Sequence, residues 1–340
     1  MTRAPARSSN ALALAVFTLF AALAALIVLI ALVGNPMDGE PRATLTLASR
    51  PSPQQFAAQL QAPQPRFVNG NLVADPALIE STPSGPLPII AADGRKPMTA
   101  YARGFDANDT RPRIAIVVGG LGLSAGATRL ALIHLPPAVT VSFAPYASGL
   151  QPWVEAARGQ GREVLIEVPM EPFDYPSSNP GPNTLLIAGK NENTKRLAWA
   201  LSRATGYVGI TNLLGGRFLG DVDAMTPVLG ETAKRGLLFF ENGAHSATAA
   251  AANRAGAPLV AAALVLDAVQ ARENVQAKLA ELEFNARQNG TAVGSGIVYP
   301  LTIQEVVEWA KGLEQKGLVL VPVTAALAPT ETSPAPASAQ

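Results

Sequence analysis

Between residues 111 and 327, short apolar runs alternate with segments of helical length, and this repeat constrains the fold more than any other feature. The strand-like runs fall at 114–118, 139–143, 164–168, 207–210, 237–240, 259–266, 291–293 and 318–321. Continuous apolar runs bounded by glycine and proline suit strands buried on both faces. Helix-like segments separate them, one after Ser124 and others near 150–158, 193–203, 224–235, 247–254, 272–288 and 302–316. Eight strands alternating with helices imply a parallel sheet, which most simply closes into a (β/α) barrel. An open doubly wound sheet is the alternative.

The rest of the chain reads differently. Residues 11–33 carry no charge, and Thr18 is their one polar side chain. As a helix this run would be roughly 34 Å long, enough to span a hydrocarbon core of about 30 Å. It exceeds a signal-peptide core, and no small-x-small cleavage site follows Val33. Arg3 and Arg7 precede it, so the positive-inside bias leaves residues 1–10 cytoplasmic and exports the C-terminal domain across an inner membrane. Residues 34–110 hold eleven prolines among Gln, Ser, Ala and Gly, and read as a linker. Residues 328–340 read as a flexible tail.

Composition narrows the chemistry. Lys and Arg total 26 against 25 Asp and Glu, so the chain lacks the basic field that nucleic-acid binding needs. With no cysteine there are no disulfides, thiol nucleophiles or iron–sulfur ligands. The two histidines, His134 and His245, both fall outside the strand ends. A hydrolytic metal site wants about three His or carboxylate ligands around an open position.

Two glycine motifs overlap after the first strand. GLGLSA at 120–125 matches a dinucleotide fingerprint, but no acidic residue occurs between Asp109 and Glu155 to hold a ribose. GLSAG at 122–126 has the form of a nucleophile elbow, with Asp221 or Asp223 and then His245 in hydrolase order. Because the strand stops at Val118, Ser124 reads better as a helix cap. In a barrel the chemistry sits on the loops after the strands. Those positions offer Tyr146, Glu171, Asn212, Arg217, Glu241 and Asp267 as a polar cleft. Glu167 and Glu171 bracket the end of the third strand; alternation turns Glu167 inward and leaves Glu171 on the rim, where a salt bridge or loop hydrogen bonds would hold it.

Several stretches carry a resemblance: IAIVVGGLGLS at 114–124, SFAPY at 142–146, REVLIEVPMEP at 162–172, PGPNTL at 180–185, GYVGITN at 206–212, RGLLFF at 235–240 and LVLD at 264–267. Together, and in this order, the domain resembles the divergent polysaccharide deacetylases. The resemblance implies a distorted (β/α) barrel of seven to eight strands over residues 111–327. It also implies where metal chemistry would lie. Metal-bearing members end the first strand in Asp-Asp, where this chain has Gly119 and Gly120. The family's Asn-His-x-Gly-Ser becomes Asn212-Leu213-Leu214-Gly215-Gly216. The later Gly-His becomes Gly294-Ser295, and the Asp-Ser after the fifth strand becomes Glu241-Asn242. Asn212 and Asp267 match the family. Losing the base and histidine ligands removes the means to activate metal-bound water.

The expectation is therefore a membrane-anchored, exported domain without a metal or other cofactor, binding envelope glycan or a protein partner. An active carbohydrate deacetylase or hydrolase using Glu171, Glu241 or Asp267 is the alternative, and a serine hydrolase a third.

Overall fold

A computed structural model describes residues 74–327 except 107, 244 and 245. The expected membrane span at 11–33, the first half of the linker and the tail lie outside the described residues, and no helix among the described residues is long and apolar enough to cross a membrane.

A hairpin of β1 (Ile79–Thr82) and β2 (Gly85–Pro88) precedes the main sheet. That sheet contains β3 (Arg113–Leu121), β4 (Thr140–Phe143), β5 (Val164–Met170), β6 (Gly209–Leu214), β7 (Leu238–Glu241), β8 (Leu259–Ala261), β9 (Leu264–Val265), β10 (Thr291–Ile297) and β11 (Val319–Val321). Every pairing in it is parallel, in the order β8-β7-β6-β5-β4-β3-β10-β9, with β11 added against the start of β3. Helices α1 (Pro97–Ala100), α2 (Ala125–His134), α3 (Leu150–Gly159), α4 (Lys190–Leu201), α5 (Gly216–Leu219), α6 (Val222–Lys234), α7 (Ser246–Ala255), α8 (Arg272–Asn289) and α9 (Pro300–Lys311) fill the connections.

The two ends of this order are one piece of chain. The apolar run expected as a single strand at 259–266 splits between its alanines. Ala262 N donates to Glu241 O of β7 at 2.8 Å, and Ala263 N donates to Val293 O of β10 at 2.9 Å. By passing its hydrogen bonds from one neighbour to the other, this segment curls the sheet into a distorted (β/α) barrel.

Strand alternation sorts the core into two layers. Ile114, Ile116, Val118, Ile166 and Val168 pack outward with helix residues such as Leu132, Leu279 and Val306. Ala115, Val117, Leu165, Leu238, Phe240 and Val293 fill the interior.

The linker expected to run to residue 110 needs correction. From Ala74 onward the chain covers the N-terminal end of the barrel, burying Leu78, Leu87, Ala91 and Tyr101. Its prolines are compatible because the hairpin is an isolated two-stranded ribbon held by tertiary contacts. Arg235 donates to Glu80 Oε1 and to Pro88 O, both at 2.9 Å. Buried Glu163 ties this cover to the turn after β11, accepting from Arg103 N and Thr324 N at 3.0 Å and from the Thr324 hydroxyl. Desolvation raises the Glu163 carboxyl above its ordinary range, against those three donors. With that end plugged, the open face of the barrel lies at the C-terminal ends of the strands.

Candidate functional site

The mouth begins where β3 ends. Gly120 and Gly122 both have positive φ, +80° and +90°. A Cβ on Gly122 would lie 2.4 Å from Ala147 Cβ, so close packing against the next loop demands this glycine. Ser124 caps α2 by accepting from Ala127 N at 3.3 Å, as expected. Asp221 likewise caps α6, accepting from Ala224 N at 2.9 Å, and Asp223 pairs with Arg254 at 2.9 Å. Both carboxylates of the imagined hydrolase order therefore have structural duties. His134 is exposed in the last turn of α2, at the barrel's plugged end.

Gly119 is the centre of the arrangement. A Cβ there would stand 2.9 Å from Ser142 Oγ and 3.0 Å from Glu167 Oε1. The carboxyl of Glu167, from β5, thus fills the space beside Gly119 where an Asp side chain would project. Its Oε1 accepts from Gly120 N at 2.6 Å and Ser142 Oγ at 2.7 Å. Its Oε2 is buried without a hydrogen-bond partner, as is Thr211 Oγ1 on the register-paired residue of β6. Complete burial pushes the Glu167 carboxyl up to about 7, outweighing the two donors that favour its ionised form.

That shift has a consequence for stability. From the ordinary 4.5 to about 7, the folded protein holds the Glu167 proton more tightly than the unfolded chain does. The contribution is complete below pH 4.5 and is lost as pH rises to 7, a change of about 3 kcal/mol. Glu167→Gln keeps an acceptor for Gly120 and Ser142 without a charge. The variant should therefore exceed the wild type in stability at pH 8, with the difference shrinking toward pH 4.5. Chemical denaturation at both pH values checks this, and a gap independent of pH would contradict it.

The polar residues singled out from sequence fall into separate small networks. Asn212 Nδ2 donates to Leu214 O at 2.8 Å and Asn242 Oδ1 at 2.7 Å, and its Oδ1 accepts from Asn242 N at 3.1 Å. Ser295 Oγ donates to Asn242 O at 2.8 Å, extending that network to β10. Asp267 Oδ2 accepts from Ile297 N and Thr302 Oγ1, each at 2.7 Å. Glu171, 6% exposed, accepts from Ile187 N at 2.7 Å and pairs with Arg217 at 2.8 Å. The Tyr146 hydroxyl donates to Pro182 O, and its ring lies 5.3 Å from that of Trp199. A Cβ on Gly181 would meet the Tyr146 ring at 2.6 Å. Partial burial raises the phenol to about 12, so it stays a donor. Glu241, expected on the cleft rim, is instead fully buried. Most of these side chains fasten the mouth's loops together.

A zinc ion finds no matching donor set among the family's metal positions. Gly119 and Gly120 have no side chain to offer, Leu213 is aliphatic, and the Ser295 hydroxyl is directed at a carbonyl. Among the described residues, no three His, Asp or Glu side chains converge. His245 lies outside the described residues. Ser142 and Thr302 were not singled out from the sequence, whereas Thr211 and Asn242 were legible only as strand-end positions. Interior alternation along β4 was the one signal available for Ser142.

The family described as divergent polysaccharide deacetylase matches residues 116–327. An uncharacterised protein of Agrobacterium tumefaciens C58, solved by crystallography, shares 40% identity with a TM-score of 0.69, covering 71% of this chain and 99% of its own. An uncharacterised protein of Haemophilus influenzae is 24% identical over 193 residues, 56% of this chain and 68% of that protein. The catalytic domain of a peptidoglycan N-acetylglucosamine deacetylase from Eubacterium rectale is more distant, at 10% identity and a TM-score of 0.41 over 66% of this chain and 94% of that domain.

Proposed function

Because the chain belongs to the divergent polysaccharide deacetylase family, we propose that its barrel binds saccharide at the mouth without metal-dependent deacetylation. One observation carries this reading: the space beside Gly119 is filled by the Glu167 carboxyl, locked by Gly120 N and Ser142 Oγ. The groups that support sugar binding are the half-exposed Arg217 and, buried at the mouth, Asp267, Glu167 Oε2 and Thr211 Oγ1. Hydroxyl and amide groups of a glycan match such scattered donors and acceptors. Tyr146, Glu171 and Asn212 serve by holding the loops, and a protein of the cell envelope is the other partner the expectation allows.

The full chain, offered an N-acetylated chitin oligomer, should bind it in saturation-transfer NMR and release no acetate. A second reading rests on Glu167, whose carboxyl near 7 is poised for general acid–base work. Acetate release that stops on changing Glu167→Gln would establish that reading and defeat the first.

The uncharged run at 11–33 supports a single-pass anchor with the barrel outside the inner membrane. A reporter enzyme fused after Gln340 should be active in the exported compartment; cytoplasmic activity would refute the topology.

A further inference from the structure

We propose that the ligand of the mouth is amphiphilic, a neutral saccharide head joined to an alkyl or acyl chain. This rests on the saccharide reading above and goes further by assigning the chain a place. Nine large hydrophobic side chains are left exposed among the described residues, and seven of them lie at or just after the C-terminal ends of barrel strands. The remaining two, Ile133 and Phe284, sit on α2 and α8. Scattered exposed hydrophobics are ordinary, but such a concentration on one face marks a binding surface.

The apolar residues adjoin the polar floor. Val265 is in register with Ser295, and Ile297 N donates to Asp267, next to exposed Val269. Ile297 Cγ2 would be 3.5 Å from a Cβ on Gly120, whose backbone N–H holds Glu167. Phe173, 77% exposed, lies against Gly216, where a Cβ would approach its ring to 2.7 Å. Nearby Leu214 is 48% exposed at φ +57°, a left-handed conformation that a leucine does not adopt for its own comfort.

Beneath this collar lie the buried, unpartnered Glu167 Oε2 and Thr211 Oγ1. A wholly apolar ligand would leave those atoms unsatisfied, and a bare sugar would leave the collar in water. A molecule with both parts satisfies both. Charge selects the head: Arg217 is already paired with Glu171, and Asp267 Oδ2 already accepts two hydrogen bonds. A neutral sugar fits that balance better than a phosphate does.

The test compares three probes on the full chain in lipid nanodiscs: N,N′-diacetylchitobiose, its hexyl β-glycoside, and hexylphosphocholine. The hexyl glycoside should bind at least tenfold more tightly than the free disaccharide, since each buried methylene contributes about 0.8 kcal/mol. The same ratio should collapse toward one in the Phe173→Ser/Val269→Ser double variant. Equal affinities for glycoside and free disaccharide would overturn the amphiphile inference while leaving saccharide binding intact. Hexylphosphocholine binding as tightly as the glycoside would overturn the sugar head. Absence of binding by both saccharides would defeat this inference together with the reading beneath it.

Discussion

Changing Gly119→Asp should destabilise the protein by about 3 kcal/mol or more at pH 8, although it restores the residue that metal-bearing relatives carry. The backbone at Gly119 is not in the left-handed region, so an Asp is conformationally allowed. The obstacle is space and charge. The new Cβ would meet Ser142 Oγ at 2.9 Å and Glu167 Oε1 at 3.0 Å, placing a second carboxyl in a buried site that already holds one. Two carboxylates in such a site cannot both ionise cheaply. Glu167→Ala alone should also cost stability, because it strands Gly120 N and Ser142 Oγ. The double variant should recover at least about 2 kcal/mol relative to the sum of the two, the signature of two groups competing for one place. Additive losses would show that the carboxyl of Glu167 does not occupy the position of the missing side chain.

The other large effect lies at the barrel's opposite end. Arg162 is 2% exposed, and burial lowers its guanidinium to about 10. It gathers carbonyls where α2 stops: Leu132 O at 3.2 Å, Leu135 O, and Pro136 O at 2.6 Å, with Gln160 Oε1 at 2.8 Å. A helix end leaves its last carbonyls without intrahelical partners, and here one side chain satisfies several at once. Arg162→Met preserves bulk but abandons them, and should cost about 3–5 kcal/mol. In a domain of this size that corresponds to roughly a 10 °C fall in Tm. Arg162→Lys should recover little, because a single ammonium cannot span the same fork of acceptors. A Met variant within about 1 kcal/mol of wild type would assign the helix terminus to some other support.

How far the sequence carried follows from the same interactions. Runs such as 114–118 and 164–168 announce themselves because both faces of the strand are buried, leaving no polar interruption. The hairpin at 79–88 gives no such sign. Its strands are four residues each, the second holds two prolines, and the pair is stabilised by Arg235 from a distant helix end. The division of 259–266 into two strands is equally hidden, since it depends on which neighbour each alanine faces. At the site, the glycines at 119 and 120 stood out against the Asp-Asp that the resemblance implies, but the carboxyl that fills the space beside Gly119 did not. Nothing local in IEVPME says that Glu167 reaches across to β3, because that contact joins residues 47 and 48 positions away. Likewise Glu171 follows β5 as the pattern suggests, while Asn212 lies inside β6, which runs four residues past the expected strand, and the partners Asn242 and Ile187 come from other loops.

A barrel mouth without the family's metal ligands should not hold zinc. Full-length protein, stripped of metal and titrated with zinc in a calorimeter, should show no stoichiometric high-affinity site, because the family's ligand positions hold Gly119, Gly120, Leu213 and Ser295. One tightly bound zinc per chain, weakened by Asp267→Ala, would instead return the mouth to metal-dependent chemistry.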